Sequence, residues 1–310
     1  MKIENILLSG KIREDMERII CKKGIKKQFR FVSEEDLTTE DFKWADAFVG
    51  FRPTPQFDLS SLKWVHALGA GVDSFLFNQQ WKEDVLLTRT ICSFGNRISE
   101  YCLSYLLRDL QAHMSFESAQ QQKRWDVQEP VMLASQTVVI FGTGVIGQEI
   151  ARTLSFFGVK VIGVSRTGME APYFQQIVSL RELDQMLPSA DWVITTLPLT
   201  QDTYHYFSYS FFSKLRQAGF INVGRGKTVE DSALLEALEN GHVRHAILDV
   251  FTNEPLPEQS PFWRHPCVTI TPHISAVTSP KEAVECFLET LNRLEKEEPL
   301  LNRVTIQAGY

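Results

Sequence analysis

Three segments of the 310-residue sequence carry side chains able to act together on a small carbonyl compound. Asn222-Val223-Gly224-Arg225-Gly226 offers Arg225, Leu248-Asp249-Val250-Phe251-Thr252-Asn253-Glu254-Pro255 offers Glu254, and Thr271-Pro272-His273 offers His273. An arginine grips a carboxylate through two parallel hydrogen bonds and polarises a neighbouring carbonyl. A histidine gives or takes a proton near neutral pH, and a glutamate hydrogen-bonded to it favours its charged, donating form. Taken singly, a strand-end arginine is usually a solvated charge and a lone histidine a structural one. Each of these segments follows an apolar run that reads as a strand, so three consecutive strand ends supply the set. That points to reduction of a carbonyl beside a carboxylate, at the sheet edge where ligands of open α/β proteins bind.

The hydride for such a reduction comes from a nicotinamide cofactor. Gly142-Thr143-Gly144-Val145-Ile146-Gly147 directly follows the strand-like Val138-Val139-Ile140-Phe141 and opens a helical run, Ile150 to Phe157. With 17 glycines in the chain, about 0.05 matches to this pattern are expected by chance. Gly142 permits a tight turn, Gly144 lets the backbone approach a pyrophosphate, and Gly147 lets helix and strand pack closely. The next strand runs into Ser165-Arg166-Thr167, with no acid where an NAD site has one for the ribose 2′-hydroxyl. An acid at about 4 Å from a 2′-phosphate costs about 4 kcal/mol per charge pair at an effective dielectric of 20; Arg166 offers a permanent planar cation flanked by two hydroxyls. NADP (NADPH) is therefore preferred, with NAD the alternative; the bland reading of Arg166 is an exposed loop arginine.

These residues must be held by alternating strands and helices. Ile6-Leu7-Leu8, Phe29 to Val32, Ala47-Phe48-Val49, Trp64 to Leu68 and Leu86-Leu87-Thr88 read as buried strands, with a helix over Ile12 to Lys22. A second series of six follows: Thr137 to Phe141, Lys160 to Val164, Trp192 to Thr195, Gly219 to Val223, His245 to Val250 and Val268 to Thr271. Between the series, Ile98 to Gln122 contains neither Gly nor Pro and predicts one long connecting helix. Pro280 to Glu297 predicts an amphipathic helix near the end. The length suits about two domains. Composition is that of a soluble globular protein, 44% hydrophobic and 23% charged, and a net charge of −6 disfavours nucleic acid or an anionic membrane as partner. Cys21, Cys92, Cys102, Cys267 and Cys286 form no Cys-x-x-Cys pair and read as small core hydrophobes, so neither a disulfide framework nor a metal site is expected. The apolar run near Met1 is too short for a signal segment and no stretch is long enough to span a membrane, so the cytoplasm is the expected location.

From about Trp64 onward the sequence resembles the D-isomer-specific 2-hydroxyacid dehydrogenase family. The resemblance rests on Gly69-Ala70-Gly71-Val72-Asp73, the glycine pattern, Leu197-Pro198-Leu199-Thr200, Gly224-Arg225-Gly226, Ala246-Ile247-Leu248-Asp249-Val250-Phe251 with Glu254-Pro255-Leu256-Pro257, and Ile270-Thr271-Pro272-His273. It implies an α/β protein: a doubly wound parallel-sheet Rossmann nucleotide-binding domain, residues 99–275, and a smaller flavodoxin-like α/β substrate domain, residues 1–98 with 276–310. Catalysis then occurs between the domains, whose closure excludes water. Arg225 resembles the substrate arginine, Glu254 the acid paired with the histidine, and His273 the proton donor. The amides of Ala70, Gly71 and Val72 are implied to bind the substrate carboxylate, consistent with successive N–H groups before a helix. Asp249 is implied to contact the nicotinamide carboxamide, and Leu197, Pro198, Thr203, Val223 and Gly224 to line the cofactor with the glycine loop.

Within the family, Ile98-Ser99-Glu100-Tyr101, the Ser-Arg-Thr run, Ser260-Pro261-Phe262-Trp263 and the Gly309-Tyr310 ending look most like the glyoxylate/hydroxypyruvate reductase A branch. The implied reaction is reduction of a small 2-oxoacid to the D-2-hydroxyacid. The helix near Ile98 to Gln122 and the Trp125 segment are implied to form a homodimer. Two departures stand out: Cys92-Ser93-Phe94-Gly95-Asn96 lacks the family's common Pro-Gly pattern, and the divergent stretch before Trp64 leaves Arg52 as a candidate second substrate cation. The stretch from His273 to Tyr310 leaves no space for the regulatory domain that phosphoglycerate dehydrogenases of the family often carry. The competing readings are a phosphoglycerate dehydrogenase-like enzyme using NAD and a non-catalytic nucleotide-sensing protein on the same fold.

Overall fold

The computed structural model describes residues 1–180 and 182–309; Arg181 and Tyr310, the last residue of the Gly309-Tyr310 ending, lie outside the described residues. The chain divides into two compact units, Met1–Phe94 with the segment from Thr278 onward, and Gly95–Val277. Both are α/β layers around all-parallel sheets. Among the described residues no helix is long and apolar enough to cross a membrane.

In the first unit β1 (Asn5–Leu8), α1 (Arg13–Lys23), β2 (Gln28–Phe31), α2 (Thr39–Trp44), β3 (Ala47–Gly50), β4 (Trp64–Ala67), α3 (Asp73–Leu76) and β5 (Leu86–Arg89) build a five-stranded sheet of order β2-β1-β3-β4-β5. Successive strand residues face opposite sides, so Ile6 and Leu8 pack with Met16 and Ile20 of α1 while Leu7 packs with Phe42 of α2. Both faces of β3 and β4 are covered, which is why they read as apolar runs; β2, expected to be buried, is an edge strand with Gln28 and Arg30 exposed. Each fully buried large side chain contributes about 1.5–3 kcal/mol.

His66 interrupts that apolar pattern inside β4 and is fully buried. The Trp64 indole N–H donates to Thr88 Oγ1 at 2.8 Å, and His66 Nδ1 lies 2.8 Å from the same oxygen, so the Thr88 proton goes to Nδ1. Nε2 then carries the ring proton toward Thr90 Oγ1 at 3.2 Å, and Thr90 donates to Ala67 O. Burial pushes His66 down from 6.5 to about 3. The unfolded chain takes up this proton near pH 6.5 and the folded chain only near pH 3, so folding stability is lost as pH falls through that window. Between pH 7 and 5 urea unfolding should show a loss of about 2 kcal/mol from this residue, and His66→Gln should flatten the slope.

The second unit opens with α4 (Phe94–Leu110) and α5 (His113–Gln121), followed by β6 (Thr137–Phe141), α6 (Val145–Phe156), β7 (Lys160–Ser165), β8 (Gln176–Ser179), β9 (Trp192–Thr195), α7 (Tyr209–Phe212), β10 (Ala218–Asn222), α8 (Asp231–Glu239), β11 (Val243–Leu248) and β12 (Val268–Ile270). The sheet order is β12-β11-β10-β9-β6-β7-β8, so the chain turns back at β6 and leaves a switch point between β6 and β9. One face is covered by α4 and α6, the other by α7 and α8. After this unit α9 (Pro280–Glu295) buries Ala283, Val284, Phe287, Leu291 and Leu294 in the first unit, a stripe at helical spacing.

Three further expectations need correction. The long helix is two, because Ala112 adopts φ 52° between α4 and α5. Asp109, one residue before the end of α4, accepts from Arg244 at 2.9 Å, and the Ala112 N–H closes onto Asp109 O at 3.0 Å. A tertiary ion pair thus stops the helix where no Gly or Pro does. The second sheet has seven strands rather than six: β8 is an edge strand with only Val178 buried, too little apolar signal to register. Among the cysteines only Cys102 is fully buried and Cys21 is exposed, and no disulfide joins any of them among the described residues.

Candidate active site

The glycine loop joins β6 to α6. Gly142 has φ 100°, a conformation that L side chains rarely adopt, and a Cβ there would meet Thr196 Oγ1 at 2.5 Å. A Cβ on Gly147 would lie 1.9 Å from Gly142 O, so helix and strand meet at backbone contact. Gly144, by contrast, faces open space and caps α6 with no side-chain hydrogen bond. The first-turn N–H groups of a 12-residue helix are therefore presented bare, with its positive end outward, which fits a dinucleotide pyrophosphate. Thr143, Val145 and Ile146 fill the remaining loop positions, and Val145 is exposed. At the end of β7, Ser165 Oγ accepts from the Gly168 N–H at 3.0 Å, while Arg166 and Thr167 are exposed. Arg166 has no ion-pair partner among the described residues.

On the other side of the switch point, Thr203 is tied into its own turn. Its hydroxyl donates to Pro198 O at 2.6 Å and accepts from the Thr200 N–H at 2.8 Å. These bonds shape the turn around Leu197 and Pro198, which with Thr203 were implied to line the cofactor. Val223 and Gly224 follow β10, both buried, and the Gly224 N–H donates to Asn222 Oδ1 at 3.0 Å. Arg225 is half-buried at the head of a 3-10 turn. Its carbonyl oxygen accepts from Asn222 Nδ2 at 3.1 Å and from Thr228 Oγ1 at 2.6 Å, which fixes the backbone from which the guanidinium extends.

β10, β11 and β12 are neighbours in register, Asn222 beside Leu248 and Leu248 beside Ile270, so their carboxyl ends deliver Arg225, Glu254 and His273 side by side. His273 Nδ1 lies 2.8 Å from Glu254 Oε2, and Glu254 Oε1 accepts from the Phe251 N–H at 2.9 Å. Burial raises the Glu254 carboxyl, but the hydrogen bonds from His273 and Phe251 and the charges of His273 and Arg225 outweigh it and hold Glu254 below the usual carboxylate range. An ionised Glu254 makes Nδ1 the donor, leaving Nε2 as the nitrogen for chemistry.

Asp249, expected at the nicotinamide carboxamide, is fully buried. Its Oδ1 accepts from Thr271 Oγ1 at 2.6 Å and the Ile274 N–H at 2.8 Å, and its Oδ2 from the Ser275 N–H at 2.9 Å. The Asp249 carbonyl also accepts from the His273 N–H at 2.9 Å. His273 sits at φ 55°, a conformation costing about 1–3 kcal/mol that this clamp sustains. Tyr101 of α4 adds a contact at 2.7 Å to Thr271 Oγ1. Tyr101, Thr271 and Thr252, whose hydroxyl donates to Asp231 at 3.1 Å, lie within the quoted motifs but were given no role, because a single hydroxyl carries no sequence signal of its own.

In the first unit, the loop after β4 carries Ala70, Gly71 and Val72, and no described hydrogen bond occupies their three amides. The helix that follows, α3, has only four residues, too short to supply the helix-end field expected from sequence. Arg52, the candidate second cation, is instead paired with Glu34 through Nη2 at 2.7 Å and Nε at 3.1 Å.

Residues 103–275 match the family described as D-isomer specific 2-hydroxyacid dehydrogenase, NAD binding domain. A glyoxylate/hydroxypyruvate reductase A of Klebsiella pneumoniae is 32% identical over 304 residues, which cover 96% of this chain and 97% of that protein. Among solved structures, an NADPH-dependent glyoxylate/hydroxypyruvate reductase of Sinorhizobium meliloti, in complex with NADP and sulfate, superposes with a TM-score of 0.89 at 30% identity over 100% of both chains. A D-isomer specific 2-hydroxyacid dehydrogenase of Xanthobacter autotrophicus, in complex with NADPH and MES, gives 0.88 at 29% identity, again over 100% of both.

Proposed function

Because the chain belongs to the D-isomer specific 2-hydroxyacid dehydrogenase family, and is thus a nicotinamide dinucleotide-dependent oxidoreductase, we propose that it reduces a small 2-oxoacid such as glyoxylate or hydroxypyruvate with NADPH. The observation that carries this reading is the 2.8 Å pairing of His273 with an ionised Glu254 beside Arg225. When bound, the nicotinamide supplies a hydride to the carbonyl carbon. Arg225 grips the substrate carboxylate and polarises the carbonyl, and the amides of Ala70, Gly71 and Val72 are a carboxylate-binding group of the first unit. His273 gives its Nε2 proton to the carbonyl oxygen, so that hydride and proton together make the D-2-hydroxyacid. Glu254 stabilises the imidazolium and keeps the ring from turning. Gly142 to Gly147 cradle the pyrophosphate, while Ser165, Arg166 and Thr167 take the 2′-phosphate.

A spectrophotometric matrix of 2-oxoacids against NADH and NADPH tests this directly. Turnover of glyoxylate or hydroxypyruvate with NADPH is expected. A marked preference for 3-phosphohydroxypyruvate with NADH would indicate the phosphoglycerate dehydrogenase-like enzyme, and NADPH binding without turnover a nucleotide sensor. Arg166 is exposed and has no ion-pair partner among the described residues, so Arg166→Asp should lower kcat/KM for NADPH by roughly 10–100-fold while NADH changes by less than about threefold.

The same reading makes the protein a homodimer through α4, α5 and the following segment. Trp125 and Val127 there are 96% and 87% exposed, an apolar surface that favours a partner. A solution mass of twice the chain's 35.5 kDa checks it.

A further inference from the structure

Arg89 ends β5 beside Ala67 of β4, whose strand leads into the Ala70-Gly71-Val72 loop. Its backbone is anchored on both sides by Asn302, which accepts from the Arg89 N–H at 3.1 Å and donates Nδ2 to Arg89 O at 2.8 Å. The side chain is half-buried and Nη1 donates to Ala70 O at 3.2 Å. No carboxylate pairs with it among the described residues. Withdrawing a guanidinium from water without an anion is costly, and a single carbonyl oxygen compensates only part of that cost. In a trans peptide C=O and N–H point in opposite directions, so a cation fixed on Ala70 O holds the Gly71 N–H facing away from it and polarises it as a donor. Arg89 thus stands behind three consecutive amides for which the described residues supply no acceptor.

Building on the reading that this loop takes the substrate carboxylate, we propose that Arg89 is a positioning residue for that anion, acting through the Ala70–Gly71 peptide. Its charge and hydrogen bond set the strength of the amide site and so the selectivity for 2-oxoacids with an ionised carboxylate. Arg52, neutralised by Glu34, does not share this role.

The test is KM against kcat in Arg89→Met, with oxalate as an unreactive carboxylate probe measured by calorimetry on the NADP-loaded protein. KM for glyoxylate and the oxalate Kd should both rise about 10–100-fold, with kcat and KM for NADPH within about threefold. Arg89→Lys should recover most of the loss, and Arg89→Gln, which keeps a donor but no charge, little of it. The Lys and Gln pair decides the matter if the Met variant fails to fold. Unchanged KM and oxalate Kd in Arg89→Gln at unchanged Tm would overturn the proposal, as would a fall confined to kcat. If the wild-type protein reduces no 2-oxoacid, the functional reading falls, whereas the oxalate comparison still decides for or against Arg89.

Discussion

Replacing His273 by alanine is expected to lower kcat for 2-oxoacid reduction by about 10²–10⁴-fold while leaving the Kd for NADPH within about threefold. Among Arg225, Glu254 and His273 the imidazole is the group whose chemistry suits proton delivery, since a guanidinium does not give up its proton in proteins and Glu254 is held ionised. Glu254→Gln should cost less, about 10–100-fold, because the amide still holds Nδ1 but no longer stabilises an imidazolium. A further consequence follows for Glu254. Burial alone pushes its carboxyl up, and the His273 hydrogen bond is the first of the forces that reverse this. In His273→Ala that carboxyl should titrate at higher pH than in the wild-type protein, measurable by carboxyl NMR. Full turnover in His273→Ala would remove the histidine from the mechanism.

Asp249→Ala should lower both stability and activity, although the side chain touches no solvent. It leaves the Thr271 hydroxyl and the Ile274 and Ser275 N–H groups without their acceptor and releases the clamp around His273. Losing three hydrogen bonds to one buried carboxylate costs about 3–5 kcal/mol, or a Tm lower by about 10 °C in a unit of this size. Activity should fall by about 10²-fold or more even below the new Tm, because His273 no longer has its left-handed backbone enforced. Asp249→Asn keeps the shape but turns an N–H₂ group toward one of the three donors, so an intermediate loss is expected. Scanning calorimetry and kcat on the same preparations check both effects. An Asp249→Ala protein with wild-type Tm and turnover would show that the loop holds itself.

Arg225, Glu254 and His273 were legible in the sequence because each follows an apolar run that reads as a strand. It could not say what Asp249 does: the same residue reads equally well as a ligand for a cofactor amide and as an anchor for a loop 22 to 26 positions away. The partners of Thr203 and Arg52 were equally illegible, Pro198 and Glu34 being ordinary residues with no pattern of their own.

What the amino-acid order determined by itself was therefore everything written in neighbouring residues: the central strands, the turn that only Gly142 and Gly147 allow, and the three sheet-edge side chains. Tertiary structure alone decided where α4 stops, that β8 joins the sheet edge, which hydroxyls brace the histidine, and that Arg89 backs the amides of Ala70 and Gly71. Those outcomes depend on single hydrogen bonds and ion pairs between residues far apart in the chain. Such bonds form only once the hydrophobic core has brought the segments together, and they leave no periodicity along the chain.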